Sequence, residues 1–252
     1  MEKKLNGHAS APMERVAVSS AEDLVKTPAE PDESEPDDQE AAGGIDTAPM
    51  EVRDVPAPPS NIAELAESCV RFVERSVGVK LDYSAETLPL LDHYLAEAEE
   101  TLVKQSEDDA KAALTTLALL VHTAGAYFGE VVRRRYPSWW RADGDDPMTY
   151  RIEMETVYLA FSPMLFMYEA LSRGLALHGD QAAFEAAQLE MDEEDQRAAS
   201  ARLAELEVSD EEYFAPSTRL EAIDIVVDTI RSRRMAEGDP IEMALTPEDY
   251  ES

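Results

Sequence analysis

Residues 125–140, GAYFGEVVRRRYPSWW, hold the densest set of side chains able to recognise a ligand. Gly125 and Gly129 stand four apart, so in a helix they share one face and let another backbone approach closely. Glu130 adjoins that face. Arg133 and Arg134 follow three and four residues later, at the spacing of helical ion pairs. Two arrangements satisfy this pattern. In one, the acid and an arginine close the helix end as a surface pair contributing about 0.2–0.5 kcal/mol. In the other, Glu130 and an arginine face a ligand in a polar pocket beside the glycines.

Arginines 133, 134, 135 and 141 alternate with Tyr136, Trp139 and Trp140, a composition that stacks bases or clamps phosphate in basic proteins. The whole chain is the opposite of basic: 54 acidic against 22 basic residues among 252, a net charge of −32. Binding of nucleic acid depends on basic side chains displacing counterions, and anionic lipid surfaces select the same charges, so neither is an expected partner. Cation–π packing and placement at a helix C-terminus are the expected roles of these arginines.

Other chemistry is sparse. The four histidines, His8, His93, His122 and His178, show no metal spacing; His93 and Glu97 offer two ligands at i,i+4 where three or four are needed. His122 reads as a hydrogen-bonded core histidine. Cys69, the single cysteine, recurs on an apolar helix face and reads as an inert core thiol. No nucleophile elbow, P-loop or dinucleotide fingerprint occurs. The expectation is therefore no catalytic residue, no metal and no cofactor.

The elements that must carry these residues follow from periodicity. Residues 1–59 contain no aromatic residue, 8 of the 15 prolines and 14 acidic against 5 basic side chains, which predicts a disordered acidic tail. Asn61 with Glu64 forms a helix start, Ile62, Leu65, Cys69, Phe72 and Val73 its apolar face, and Gly78 its end. Ser84 caps a second helix with Leu88, Leu91, Leu95, Ala98 and Leu102 inward and Asp92 at the margin of that stripe. Ser106 with Asp109 opens a third, about 107–135. Its stretch from Ala112 to Gly129 has no charge, but three threonines, His122 and two glycines favour a buried core helix over a membrane span.

Alternation from Tyr150 to Tyr158 predicts a half-buried strand, with Tyr150, Ile152 and Met154 inward and Arg151, Glu153 and Glu155 outward. Ser138–Arg141 pairs with it across the DGDDP turn. Ser162 and Pro163 start a helix that runs to Gly174. From 180 to 207 an acidic helical stretch with Phe184, Ala187 and Met191 follows, interrupted by DEEDQ, and Thr218 with Glu221 opens a last helix bearing Leu220, Ile223, Val227 and Ile230. The fold class is α+β, mostly helical, with a small antiparallel hairpin or sheet. The divisions are a tail at 1–59, an α+β domain at 60–176, an acidic helical extension packed on it at 177–237 and a flexible tail at 238–252.

The segments GVKLDYSAETLPLLDHYL, 78–95, and GAYFGEVVRRRYPSWW, followed by a strand and the FSPM helix start, resemble a family of uncharacterised bacterial proteins. That family shares an LDYS-x-x-(S/T)L-x-x-LD segment and a GAY-x-GEV-x-R segment ending in Trp; the glycine usual before the Trp is Ser138 here. The resemblance spans about 78–165 and implies shared roles for Leu81, Asp82, Tyr83, Ser84, Leu88, Leu91, Asp92, Gly125, Tyr127, Gly129, Glu130, Arg133 and Trp139, with no activity attached. The candidate ligand-binding set is Asp82, Tyr83, Asp92, Tyr127, Glu130, Arg133 and Trp139. Without an apolar stretch of signal length near residue 1 and without a catalytic constellation, the chain reads as a cytoplasmic, non-enzymatic accessory protein acting through a protein partner. A small-ligand binder or enzyme with a pocket beside the glycine face is the alternative.

Overall fold

Burial of one stripe on each helix explains how the chain folds, as seen in a computed structural model that describes residues 55–173, 175 and 189–251. All of these belong to the second of two compact units, Met1–Met50 and Glu51–Ser252. The tail expected to be disordered falls almost wholly outside the described residues, as do Phe184, Ala187 and Gly174.

Helix α1 (Ser60–Val77) buries Ile62, Ala66, Cys69, Val70 and Val73, and stops at Gly78, whose φ of 78° is left-handed. Asn61 does not cap it. Its amide is drawn into a long-range bond, donating to the Tyr150 hydroxyl at 2.9 Å. Ser84 also makes no cap of its own; it precedes a 3-10 turn (Ala85–Thr87) and donates its N–H to Asp82 Oδ1. Helix α2 (Leu88–Asp108) then buries Leu88, Leu91, Leu95 and Leu102. It runs past Ser106, which turns its hydroxyl back to Val103 O, so the cap of the next helix is Asp109 alone, accepting from Ala112 N–H.

Helix α3 (Ala110–Arg135) is the centre of the fold, packed between α1, α2 and α4 (Pro163–Ser172). It is the one helix among the described residues long and apolar enough to cross a membrane, and 61% of its most apolar 18-residue window is buried inside the protein. From Thr123 to Arg133 every residue is buried.

A three-stranded antiparallel sheet covers one end: β1 (Ser138–Arg141), β2 (Arg151–Met154) and β3 (Ala160–Phe161), with Ser138 opposite Met154 and Ile152 opposite Phe161. Of the strand expected over 150–158, Arg151–Met154 alone is strand, and β3 begins only after the bend that follows. The chain reverses at Glu155–Tyr158, and Leu159 O accepts from Met154 N–H. Glu190 pairs with Ala160 through both backbone bonds and lengthens the edge. Ser162 caps α4 through Leu165 N–H, with Pro163 first in the helix, as the sequence suggests.

The acidic second part supplies α5 (Glu193–Leu203), α6 (Asp210–Tyr213) and α7 (Pro216–Glu237). The DEEDQ run opens α5, where carboxylates meet the positive end of the helix dipole. Helix α7 begins at Pro216, not at a Thr218–Glu221 box. Its first-turn N–H at Ser217 is satisfied by Asp92, which supplies from α2 the acceptor a local cap would have provided. Leu220, Ile223, Val226, Val227 and Ile230 enter the same core as α1 to α4, so no break in packing falls at 176.

The end beyond 238, expected as a flexible tail, makes defined contacts with the sheet in the described residues. Met243 and Leu245 donate backbone N–H groups to Thr156 O and Glu155 O, and Tyr250 is 4% exposed. Its hydroxyl sits over the β2–β3 reversal, donating toward Met154 O at 2.8 Å and accepting from Leu159 N–H at 3.1 Å. An aromatic ring with a polar tip can dock a tail because the tip satisfies backbone groups that a tight turn leaves over.

Candidate functional site

The seven residues singled out in the sequence do not form one site. Asp82, Tyr83 and Tyr127 meet at the entry to α2. Tyr127 is fully buried, accepts from Tyr83 N–H at 3.0 Å and lies 3.0 Å from Thr87 Oγ1. The two tyrosine rings stack with centroids 4.9 Å apart, and Arg134 covers Tyr83 at 4.1 Å. Tyr83 holds a φ of 66°, unusual for a residue with a side chain. Burial, followed by the charge of Glu67, pushes its phenol up to about 12. Bonds from Ser84 hold the exposed Asp82 carboxyl below its usual range.

Glu130 and Arg133 meet in the core, 5% and 3% exposed, so the expectation of a surface pair is corrected. Arg133 Nη1 donates to Glu130 Oε1 at 2.8 Å, and the same oxygen accepts from Trp140 Nε1 at 2.7 Å. The tryptophan on this acid is therefore Trp140, not Trp139. Arg133 further donates to Pro56 O at 3.0 Å. The glycine face leaves no pocket: a Cβ on Gly125 would lie 2.8 Å from Met164 Cα, and one on Gly129 would lie 2.3 Å from the Trp140 ring. α4 and Trp140 fill that space.

Trp139 belongs to another cluster, centred on Glu153. Alternation turned this residue outward, yet it is fully buried. Arg141 and Arg151 donate to its Oε1 at 2.6 and 2.7 Å, and Trp139 Nε1 donates to Oε2 at 2.7 Å. Three donors, two of them cationic, offset much of the hydration this carboxylate loses on burial. Asp92 stands apart, accepting from Ser217 N–H and from its hydroxyl; burial, offset in part by those bonds, raises its carboxyl above the usual range. Elsewhere, burial pushes the Cys69 thiol far above the range of a reactive cysteine, His122 is half-buried and pushed down, and His93 with Glu97 forms an exposed pair. Among the described residues no three His, Cys, Asp or Glu side chains group as metal ligands.

One concave site lies between α4, α5 and α7, with Tyr213 and Phe214 at the end of α6 in its wall; another opens beside Asp92, between α2 and the start of α7. A cavity of about 360 Å³ is walled by Phe166, Met191, Leu203, Tyr213, Phe214 and Ile223, with Gln196 and Ser200 at its polar margin. Two charged residues line it. Glu169 on α4 is 8% exposed and Arg219 on α7 is 7% exposed, and Arg219 Nη2 donates to Glu169 Oε2. The guanidinium is ringed by Phe166, Tyr213 and Phe214 at 4.8, 4.5 and 4.9 Å from the ring centroids. Burial raises the Glu169 carboxyl, against the lowering pull of Arg219. Arg219 Nε has no hydrogen-bond partner among the described residues.

Met191 and Ile223 were read from sequence only as apolar-face positions, and Glu169, Arg219, Tyr213 and Phe214 were not singled out at all. Two local signals existed. Glu169 is the sole charge in PMLFMYEALS, and Tyr213-Phe214 is an aromatic pair in an acidic stretch. What no spacing revealed is that Glu169 and Arg219, 50 positions apart, would meet.

Compared with known proteins, the chain matches no family model, no curated protein and no solved structure. The resemblance of residues 78–95 and 125–140 to a bacterial family rests on those residues alone.

Proposed function

We propose that the protein is a non-catalytic binding protein that takes a small ligand into the cavity between α4, α5 and α7. One observation carries this reading: a concavity of about 360 Å³ walled by Phe166, Tyr213 and Phe214 and lined by the buried Glu169–Arg219 pair. Ligand sites combine such an apolar wall with a few convergent polar groups. Among the described residues the other buried acids are consumed internally, Glu130 by Arg133 and Trp140, Glu153 by Arg141, Arg151 and Trp139, and Asp195 by Arg233. Acid–base chemistry needs a group free to reach a reacting atom. Glu169 is already engaged by Arg219, which suits recognition better than proton transfer. The reading keeps the non-enzymatic expectation and moves the binding site away from the glycine face.

The test is a screen of small aromatic fragments against ¹⁵N-labelled full-length protein. Hits are expected to shift the side-chain Nε–H resonance of Arg219, and Ser200→Phe, which narrows the cavity margin, is expected to abolish those shifts while leaving the thermal midpoint unchanged. Fragments that bind without moving Arg219, or a screen with no hit at millimolar concentration, would overturn the proposal.

A further inference from the structure

Between α5 and α7 the chain crosses residues 204–215 with little to hold it. No residue of this stretch is buried among those described, and Leu206, Val208, Tyr213 and Phe214 lie outside the hydrophobic core that Leu203 packs against and Leu220 enters. Its backbone bonds are local. Ala204, Glu205 and Leu206 donate to Ser200 O, Arg202 O and Leu203 O, and Tyr213 and Ala215 donate to Ser209 O and Glu212 O. A segment with few buried contacts and local, solvent-facing bonds opens well below the free energy of global unfolding.

Two rings tie the stretch down. The Arg219 guanidinium lies 4.5 Å from the Tyr213 ring centroid and 4.9 Å from that of Phe214, and Arg173 lies 4.5 Å from Phe214. Arg219 is a fixed receiver, because Glu169 and the Phe166 ring hold it from the side of α4. Cation–π contacts are individually weak, so a few of them hold a segment without locking it.

The stretch is also built to move as one piece. Ser209 and Glu212 form a capping box, each side chain accepting from the other's backbone N–H, so α6 keeps its turn without help from the rest of the fold. Residues 206–209 before it have no regular structure, and Ala215 after it is extended ahead of Pro216. Beyond that point α7 cannot follow, since Pro216 is buried and Asp92 holds the Ser217 N–H. Hinges thus fall on either side of α6. Tyr213 and Phe214 stand in the wall of the cavity, and Phe214 also borders the concavity beside Asp92, so one displacement enlarges both.

Resting on the cavity reading above for what the motion serves, we infer that residues 204–215 form a strap, latched by Tyr213 and Phe214 onto Arg219 and Arg173, that undocks as a unit within the native state and governs entry to the cavity.

The experiment places a thiol under the strap. Ala222→Cys on α7 and, separately, Ala199→Cys on α5 put it at buried positions that line the cavity, and Cys69, buried on α1, is the internal control. In the full-length protein, dithiodipyridine is expected to modify each new thiol at least about 100-fold faster than Cys69, at a rate unchanged by urea below the unfolding transition, because local opening exposes little surface and Cys69 waits for global unfolding. Methyl methanethiosulfonate, a smaller reagent, is expected to give the same rate within about threefold once each reagent is scaled to a free thiol, since opening admits both. Adding Phe214→Leu, which removes one latch ring, is expected to speed modification about tenfold and leave the urea midpoint unchanged. New thiols that react at the rate and urea dependence of Cys69 mean that the strap opens only with the whole fold, which overturns the inference. A rate that falls steeply with reagent size means a fixed gap and overturns it as well. Neither result touches the cavity reading, which the fragment screen decides; a strap that opens over a cavity no fragment enters overturns that reading and, with it, control of entry.

Discussion

The six-membered ring of Trp140 lies 2.3 Å from the position where a Gly129 side chain would begin. A strand residue thus uses the absence of a Cβ on the central helix to bring its indole against α3 and its Nε1 onto Glu130. The ring is held at both ends, by Gly129 below and by the carboxylate beside it, and cannot give way without breaking the 2.7 Å bond. Gly129→Ala is therefore expected to lower stability by about 1–3 kcal/mol, the usual range for overpacking, despite the helix propensity gained. Urea unfolding measures it. Gly125→Ala meets the backbone of Met164 and is expected to cost a similar amount; if both variants keep the parent midpoint, close approach is not what these glycines provide.

Glu130 gives a second expectation. Removing one partner of a buried ion pair strands the other charge, which typically costs about 3–5 kcal/mol. Glu130→Ala leaves Arg133 with its two backbone acceptors, Pro56 O and Ser138 O, and no counter-charge, and it also orphans the Trp140 N–H. A loss in that range is expected, with Glu130→Gln intermediate because its carbonyl still accepts one bond. Denaturant titration of the two variants beside the parent decides it, and losses below about 1 kcal/mol would mean that the pair is effectively solvated.

What the sequence made legible was local. Gly78 and the Ser162–Pro163 start act within one turn, the leucine stripe of α2 has a fixed period, and the Gly125–Gly129 spacing demands a close neighbour whatever that neighbour is. The neighbour's identity was not legible. Asp92 caps a helix 125 residues away, Glu169 meets Arg219 across 50, and Tyr250 closes a turn more than 90 residues earlier. Helical or strand period says which face a residue occupies but not who faces it. Glu153 shows the limit most clearly: alternation assigns polar residues to solvent, and this one is buried because Trp139 and Arg141 from the neighbouring strand β1 and Arg151 from its own strand converge on it.

Asp92 sets a pH dependence. Its folded-state carboxyl titrates above the ordinary 3.8 because burial disfavours the charged form. The sign follows from linkage: a group that holds its proton more tightly when folded contributes stability fully below its unfolded value, and that contribution is lost as pH rises through the folded value. The stability of the parent minus that of Asp92→Asn is therefore expected to fall as pH is raised from below 3.8 through the weakly acidic range, and then to level off. The asparagine keeps an acceptor for Ser217 N–H and cannot titrate, so it isolates the term. A difference that grows with pH in chemical-denaturation curves would reverse the assigned cause and make hydrogen bonding from Ser217 the dominant influence.

Tyr250 tests whether the C-terminal segment belongs to the fold. Its hydroxyl accepts from Leu159 N–H and reaches the carbonyls of Met154 and Val157 at 2.8 and 3.1 Å, while its ring stacks on Tyr158 at 4.8 Å and meets Trp139 edge-on at 5.9 Å. Tyr250→Phe keeps both ring contacts and removes only the hydroxyl, which leaves Leu159 N–H buried without its acceptor. The expected loss is about 1–3 kcal/mol, the desolvation penalty of one orphaned buried group. Tyr250→Ala adds the loss of ring burial, for which about 3–5 kcal/mol is usual in a core. Hydrogen exchange separates docking from bystander packing: both variants are expected to speed exchange at Leu159 and at the Met243 and Leu245 amides that pair with Thr156 and Glu155. If Leu159 alone accelerates in Tyr250→Phe, and Met243 and Leu245 keep their protection in Tyr250→Ala, the segment is held by its backbone pairing and the ring is not its anchor.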